Sequence, residues 1–390
     1  MAKRIGILTG GGDVPGLNMA IKGFVARMEE AGCEAVGLRR GWAALLNVVP
    51  SAAADNSEWV MPLTRANTRT IDRSGGTMLH TSRINPALMK LDSVPERLRG
   101  RGGAVAQGGE DGRVDLTSVA LEVLEFLRLE ALVAIGGDGT LSFACRLHDE
   151  GVPVIGVPKT MDNDVFGTEY CIGFSTAVTR SVNFIHDLRT AAGSHERFLV
   201  VELFGRYSGE TCLLASYLAG TDRALIAEVP FEPRRVVELL AEDKRANPSN
   251  YAVIAISEGA YPVGGEPVES GDPDVMGNRE LGGIGRTLRH ELQQTTGDRV
   301  IYQRLGYLMR SGPPDALDRL VASNFASLAA DLVLAGETGR LVAITGGRYS
   351  TVPINTIRAA AKQVDVDRFY DRANYRPKIV GVLDLPMFLH

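Results

Sequence analysis

The stretch Leu132-Val133-Ala134-Ile135-Gly136-Gly137-Asp138-Gly139-Thr140 decides the fold. Four apolar residues that run into a glycine cluster and then a helical pattern read as buried strand, tight turn and helix, the unit of a parallel α/β sheet. The same unit suits a phosphate. Glycines let backbone N–H groups approach anionic oxygens, the following helix offers its positive N-terminus, and an Asp in the turn can hold a divalent cation bridging those oxygens. A ligand-free turn in a doubly wound sheet reads the same way, so the other turns must discriminate.

The bulk of the chain sets bounds on the answer. Its 390 residues accommodate two domains, each with its own core. The net charge of −5 argues against a nucleic-acid or acidic-membrane surface, so an anionic substrate needs locally placed arginines. Cys33, Cys145, Cys171 and Cys212 are far apart and form no Cys-x-x-Cys pair, which reads as reduced thiols in cytosol. Ile5-Gly6-Ile7-Leu8 is too short for a signal segment, and no run is long enough to span a bilayer. The expectation is a cytoplasmic enzyme or binding protein.

The strand-turn unit recurs. Ile5 to Leu8 empties into Thr9-Gly10-Gly11-Gly12-Asp13-Val14-Pro15-Gly16, after which Leu17, Ile21, Phe24 and Met28 follow at helical spacing up to Gly32. Ser74-Gly75-Gly76 opens another glycine turn that ends on Arg83, and Gly100 to Gly112 reads as a connection or hairpin before a helix at Leu116 to Leu127. Val152 to Val157 runs into Pro158-Lys159-Thr160-Met161-Asp162-Asn163-Asp164. Two carboxylates beside a lysine at a strand end are either a solvated helix cap or a general base with a supporting carboxylate.

Further on, Phe198 to Leu203 empties into Phe204-Gly205-Arg206, Tyr251 to Ile256 into Ser257-Glu258-Gly259, and Leu341 to Ile344 into Thr345-Gly346-Gly347-Arg348. Polar clusters just past strand carboxyl ends are where open α/β sheets bind ligands. Ala260 to Gly283 reads as a surface excursion.

Taken together, Gly11-Gly12-Asp13-Val14-Pro15-Gly16-Leu17-Asn18, Gly136 to Thr140, Pro158 to Asp164 and Gly205-Arg206 resemble the phosphofructokinase family in order and approximate spacing, from Lys3 to about Ile354. The glycine-aspartate signature alone is also similar to that of NAD and lipid kinases, which lack the Asp-Asn-Asp element. The resemblance implies two doubly wound Rossmann-like α/β domains with the active site in the cleft between them. It places donor binding at 1–173 and 309–360 and sugar-phosphate binding at 174–308 and 361–390.

What the resemblance further implies is phosphoryl transfer to the 1-hydroxyl of fructose 6-phosphate. Asp162 matches the general base, with Asp164 supporting it and Lys159 beside them; Thr160 would contact the transferring phosphoryl group or the hydroxyl, and Arg206 matches the arginine near the reacting centre. Asp138 would hold Mg²⁺, while Gly11, Arg83, Gly137, Gly139 and Thr140 would face the donor. Glu258 and Arg310 match sugar-phosphate contacts, Phe204, Gly205 and Tyr307 stand at further positions of that substrate site, and Arg197 matches a contact that reaches in from a neighbouring subunit, which implies a homodimer or homotetramer. No nucleic acid or membrane partner is implied.

Two departures matter. Gly139 goes with ATP as donor in this family, whereas Lys159 resembles the pyrophosphate-using and mixed branches; Gly139 carries the greater weight here, so ATP is the expected donor and pyrophosphate the alternative. In the acceptor site Phe204, Tyr307 and Ile301 replace Met, His and a second cross-subunit arginine, with Arg299 or Arg304 near enough to substitute. A kinase of a related sugar phosphate and a non-catalytic sugar-phosphate-binding regulator are the further alternatives. Ile21 and Val25 stand where one branch has arginines for an allosteric nucleotide, and the segment 359–390 is longer than in the short enzymes.

Overall fold

A computed structural model of the chain describes residues 2–101, 103–104, 112–271, 279–384 and 386–388. Its longer elements, in chain order, are β1 (Arg4–Thr9), α1 (Leu17–Glu30), β2 (Glu34–Leu38), β3 (Val60–Leu63), α2 (Thr117–Leu127), β4 (Ala131–Gly136), α3 (Asp138–Asp149) and β5 (Val154–Pro158). They continue with α4 (Phe174–Ser194), β6 (Phe198–Leu203), α5 (Glu210–Ala219), β7 (Arg223–Leu225), α6 (Pro233–Ala246) and β8 (Ala252–Ser257). The series closes with α7 (Ile284–Thr296), β9 (Val300–Arg304), α8 (Ala316–Ala335), β10 (Arg340–Thr345) and β11 (Arg348–Pro353).

The strand that carries the opening stretch, β4, lies inside a seven-stranded sheet of order β11-β10-β5-β4-β1-β2-β3. All six of its residues are buried, because helices cover both faces and a parallel strand so covered must be apolar throughout. From β1 the chain builds outward through β2 and β3, then returns to the other side of β1 for β4 and β5. The switch point therefore falls between β1 and β4, and their carboxyl ends open a crevice there. A second sheet of order β7-β8-β6-β9 is parallel throughout.

The sheet edges differ from the sequence reading. β3 and β11 are antiparallel to their neighbours, and Thr345-Gly346-Gly347-Arg348 is the tight turn of the β10–β11 hairpin. The Glu169 carboxylate accepts from the Gly347 N–H at 3.0 Å and from that of Gly346. Strand β9 stands where the sequence reading places no element. Within the glycine-rich stretch before α2, Gly103–Ala104 pairs antiparallel with Arg113–Asp115, and residues 105–111 lie outside the described residues.

One hydrophobic core runs from β1, β4 and β5 to β6 and β8. Ile21 and Val25 belong to it, fully buried, on the helix α1 that packs along α8. A second core holds the outer face of the second sheet, and Val364, Phe369, Tyr370 and Tyr375 of the C-terminal segment complete it. Phe388 turns back to the first core, its ring 5.4 Å from Tyr170 and 5.9 Å from Phe174. Among the described residues no helix is long and apolar enough to cross a membrane.

Candidate active site

The wall of the site at the first sheet is built where the sequence places glycines. A Cβ at Gly10 or Gly136 would collide with Thr140, whose buried side chain fills the space between the ends of β1 and β4. Gly11 has φ 78°, a left-handed conformation that favours glycine. Beside it runs the segment that delivers Arg83: the Gly11 N–H donates to Ser82 O at 2.9 Å, and Thr81 Oγ1 donates to Gly11 O at 2.6 Å. Asp138 begins α3 at the positive helix end. Lys159 is buried and donates from Nζ to Gly12 O at 2.5 Å; burial pushes its ammonium down to about 8.

The turn after β5 hinges on Asn163. It has φ 55° and is fully buried, with Nδ2 donating to Glu169 O and Glu210 Oε2, both at 3.0 Å, and Oδ1 accepting from Cys171 N at 2.8 Å. A non-glycine residue holds that conformation only where its surroundings fix it. The result is that Asp162 and Asp164, on either side of it, both line the pocket.

Asp162 Oδ1 is out of solvent and has no hydrogen-bond partner among the described residues. Loss of solvent raises its carboxyl well above the usual range; Asp164 and Glu258 add to this, while Arg206 opposes it. Asp164 is raised by the same loss of solvent, against a Thr160 hydrogen bond and the charges of Lys362 and Lys159. The pocket walls, and then Asp164, push Asp138 up to about 7. A hard divalent cation fits that carboxylate. Among the described residues no group of three or more His, Cys, Asp or Glu could hold a metal, so a cation there would take its other ligands from a bound anion and water.

The facing wall comes from the second sheet. Beyond β6, Phe204 and Arg206 enter the pocket; beyond β8, Glu258; at the end of β9, Arg304, Leu305 and Tyr307, followed by Arg310. Arg304 lies 3.3 Å from Glu258 and 3.5 Å from the buried Glu202. Burial raises Glu258 to about 7 despite Arg304 and Arg206. Arg310 lies over the Tyr307 ring at 4.4 Å and the Phe204 ring at 5.7 Å, and its Nε is 3.8 Å from Asp13 Oδ1. A Cβ at Gly12 would strike this guanidinium.

These ends enclose one pocket of about 810 Å³. Gly11, Arg83, Gly137, Asp138, Gly139 and Thr140 line it, as do Lys159, Thr160, Asp162, Asp164, Phe204, Arg206, Glu258, Tyr307 and Arg310. Gly205 stands behind this wall, its carbonyl accepting from Ser257 Oγ at 2.6 Å.

Arg197 is not in the pocket. It precedes β6 at the opposite end of the strand, about 20 Å away. Arg299 precedes β9 at the same edge. Ile301 packs against the core. Arg279 and Leu281, from the stretch read as a surface excursion, also line the pocket; residues 272–278 of that stretch lie outside the described residues. No periodicity marks Arg279 or Leu281. Arg304 had a signal, the consecutive β-formers Val300, Ile301 and Tyr302 before it.

The family model described as Phosphofructokinase matches residues 4–333. The pyrophosphate--fructose 6-phosphate 1-phosphotransferase of Amycolatopsis methanolica is 37% identical over 94% of this chain and 97% of its own length. The ATP-dependent 6-phosphofructokinase of Chloroflexus aurantiacus is 35% identical over 90% of each. The crystal structure of a pyrophosphate-dependent phosphofructokinase from Nitrosospira multiformis shares the fold, with a TM-score of 0.76 over 97% of this chain and 89% of that one at 14% identity. With both sheets facing one pocket and the match running from β1 into α8, the chain belongs to the phosphofructokinase family.

Proposed function

We propose that the chain transfers a phosphoryl group to the 1-hydroxyl of fructose 6-phosphate, giving fructose 1,6-bisphosphate. The observation that carries this reading is the Asp162 carboxyl, which lines the pocket between the two sheets, with Oδ1 withdrawn from water and unpartnered among the described residues and the backbone of Arg206 hydrogen-bonded to the carboxylate. A sugar hydroxyl in the pocket would meet this carboxyl, and its raised affinity for protons suits a general base. Arg206 lies close enough to act on Asp162 electrostatically and would offset the negative charge that develops in transfer. Thr160, hydrogen-bonded to Asp164, keeps the turn in place beneath the reacting groups.

In the acceptor half Glu258 accepts sugar hydroxyls, and Arg310 and Arg304 meet the 6-phosphate, with Phe204 and Tyr307 shaping the wall. In the donor half Gly11, Arg83, Gly137, Gly139 and Thr140 surround the phosphates. Asp138 would hold Mg²⁺, which when bound neutralises donor charge.

The donor turns on Lys159. Its buried ammonium in the donor half supplies a fixed cation for the leaving phosphate, which a donor without a nucleoside needs most. The relative from Amycolatopsis methanolica is named for pyrophosphate. The relative from Chloroflexus aurantiacus is named for ATP, so the relatives do not choose between the donors, and it is the lysine that moves the weight from ATP to pyrophosphate as the primary donor. ATP is the second reading, because Gly139 leaves the first turn of α3 without a carboxylate that would repel a nucleotide's α-phosphate. Assaying the purified protein with fructose 6-phosphate and Mg²⁺, and each donor separately, decides both points. Turnover with pyrophosphate is expected, turnover with ATP alone would reverse the donor, and no turnover with either would sink the reaction.

The same reading assigns donor binding to 1–173 and 309–360 and acceptor binding to 174–308 and 361–390. It makes the protein a cytoplasmic homodimer or homotetramer, in which Arg197 faces a neighbouring copy's acceptor site.

A further inference from the structure

We propose that Lys362, in the C-terminal segment beyond β11, is a positioning residue that fixes the Asp162–Asn163–Asp164 turn from behind. This rests on the function proposed above. The side chain of Lys362 is buried, only 6% exposed, and an ammonium so placed is costly unless it meets partners. Its Nζ donates to Glu169 O at 3.0 Å, the same carbonyl that accepts from Asn163 Nδ2 at 3.0 Å. Lys362 and Asn163 therefore grip one atom from two sides.

The charges around it agree. Glu210, Asp164 and Glu169 all attract the ammonium. Glu210 is itself the second acceptor of Asn163 Nδ2, so the cation balances the carboxylate that holds the hinge. Without it, Glu210 and Asp164 would repel each other across a residue in a left-handed conformation, and the turn would relax away from the pocket.

The segment is anchored at the acceptor half. Val364 N donates to Glu228 Oε1 at 3.0 Å, Gln363 Nε2 donates to the carbonyl of pocket-lining Tyr207 at 3.3 Å, and the Val364 side chain is part of the second core. Three consecutive residues thus join the turn after β5 to the second sheet. Lys362 touches no reacting atom, and its effect on transfer passes through Asn163.

The test uses the full chain with Lys362→Met, Lys362→Arg and, as a control on strap anchorage, Val364→Ala. For each, kcat, KM for fructose 6-phosphate, KM for the donor and the thermal midpoint are measured. Lys362→Met is expected to lower kcat by about 10- to 100-fold, the scale of a small misplacement of reacting groups, with both KM values within about threefold of wild type. Lys362→Arg restores most of kcat, and Val364→Ala loses thermal stability while keeping kcat. If Lys362→Met does not fold, Lys362→Gln, which keeps a donor for Glu169 but no charge, should show the same kcat loss.

A kcat within twofold of wild type in the uncharged variant overturns the inference. So does a kcat loss in Val364→Ala that matches it at equal thermal destabilisation. A wild-type chain without turnover on fructose 6-phosphate overturns the functional reading and this inference together, whereas an active wild type beside an equally active Lys362→Met overturns this inference alone.

Discussion

Arg304 donates from Nη2 to Glu258 Oε2 at 3.3 Å, across the second-sheet wall of the pocket, while Ile301, at the sequence position expected for a second arginine, packs against the core. The end of β9 thus brings a cation into the site from the same chain, steadied by Glu202 and by the carbonyl of Leu281, to which Arg304 donates at 2.6 Å. A hydrogen bond to a charged group contributes about 1.5–3 kcal/mol. Arg304→Gln is accordingly expected to raise KM for fructose 6-phosphate by about 10- to 100-fold while leaving KM for the donor in place. Steady-state kinetics in each substrate reads this out; an unchanged KM for the sugar phosphate would remove Arg304 from its binding.

Asp162→Asn keeps the shape of the turn and removes the base. Turnover should fall by about 10²- to 10⁴-fold with little change in either KM. Because loss of solvent and the neighbouring Asp164 and Glu258 raise the Asp162 carboxyl, the acid limb of the wild-type kcat/KM profile should lie above the ordinary carboxylate range. A limb near pH 4 or near-normal turnover of the variant would contradict its role.

For the donor, the two informative residues can be exchanged separately. Lys159→Met removes the ammonium that sits on Gly12 O and should cut pyrophosphate kcat/KM by about 100-fold or more. Gly139→Asp should abolish any activity with ATP while sparing pyrophosphate. Kinetics of both variants with both donors checks the pair; loss of ATP turnover alone in Lys159→Met would show that the lysine serves the nucleotide.

Stability of the ligand-free protein should depend on pH through Glu258. Its carboxyl is raised from an ordinary 4.5 to about 7, so between those values the folded chain binds a proton that the unfolded chain has released. Stability from this group is therefore present below about 4.5 and is lost as pH rises through about 7. Thermal midpoints at pH 5 and 7.5 should fall more for wild type than for Glu258→Gln, and equal slopes would contradict the shift.

A structural prediction concerns Asp318, fully buried on α8. It accepts from Tyr170 Oη at 2.6 Å and from the N–H groups of Gly173 and Thr176, each at 2.8 Å, and so caps the start of α4. Asp318→Ala leaves those donors buried and unpaired and should cost about 3–5 kcal/mol, measured by urea unfolding. A loss under about 1 kcal/mol would mean that water replaces the carboxylate.

Strands, glycine turns and helices could be read from the residues because their signals are local. An apolar run of four to six residues must be covered on both faces, and a glycine cluster after it must turn, wherever the strand lies in its sheet. β1, β4, β5, β6, β8 and β10 follow from this, and so do the turns carrying Gly11, Asp138, Asp162 and Arg206. The same local signal cannot tell a ligand turn from a hairpin, so Thr345 to Arg348 reads like the others in sequence although β11 lies antiparallel beside β10.

What only the tertiary structure decided depends on contacts between residues far apart in the chain. The order of strands around β1 and β6 sets which carboxyl ends face each other, bringing Arg304, Arg279 and Leu281 into the pocket and leaving Arg197 at the far edge. The raised carboxyls of Asp138, Asp162 and Glu258 arise from water excluded by both sheets at once. Lys362 meets Glu169 across 193 residues, a contact that no periodicity in either segment could announce, because burial against a distant element carries no local sequence signal.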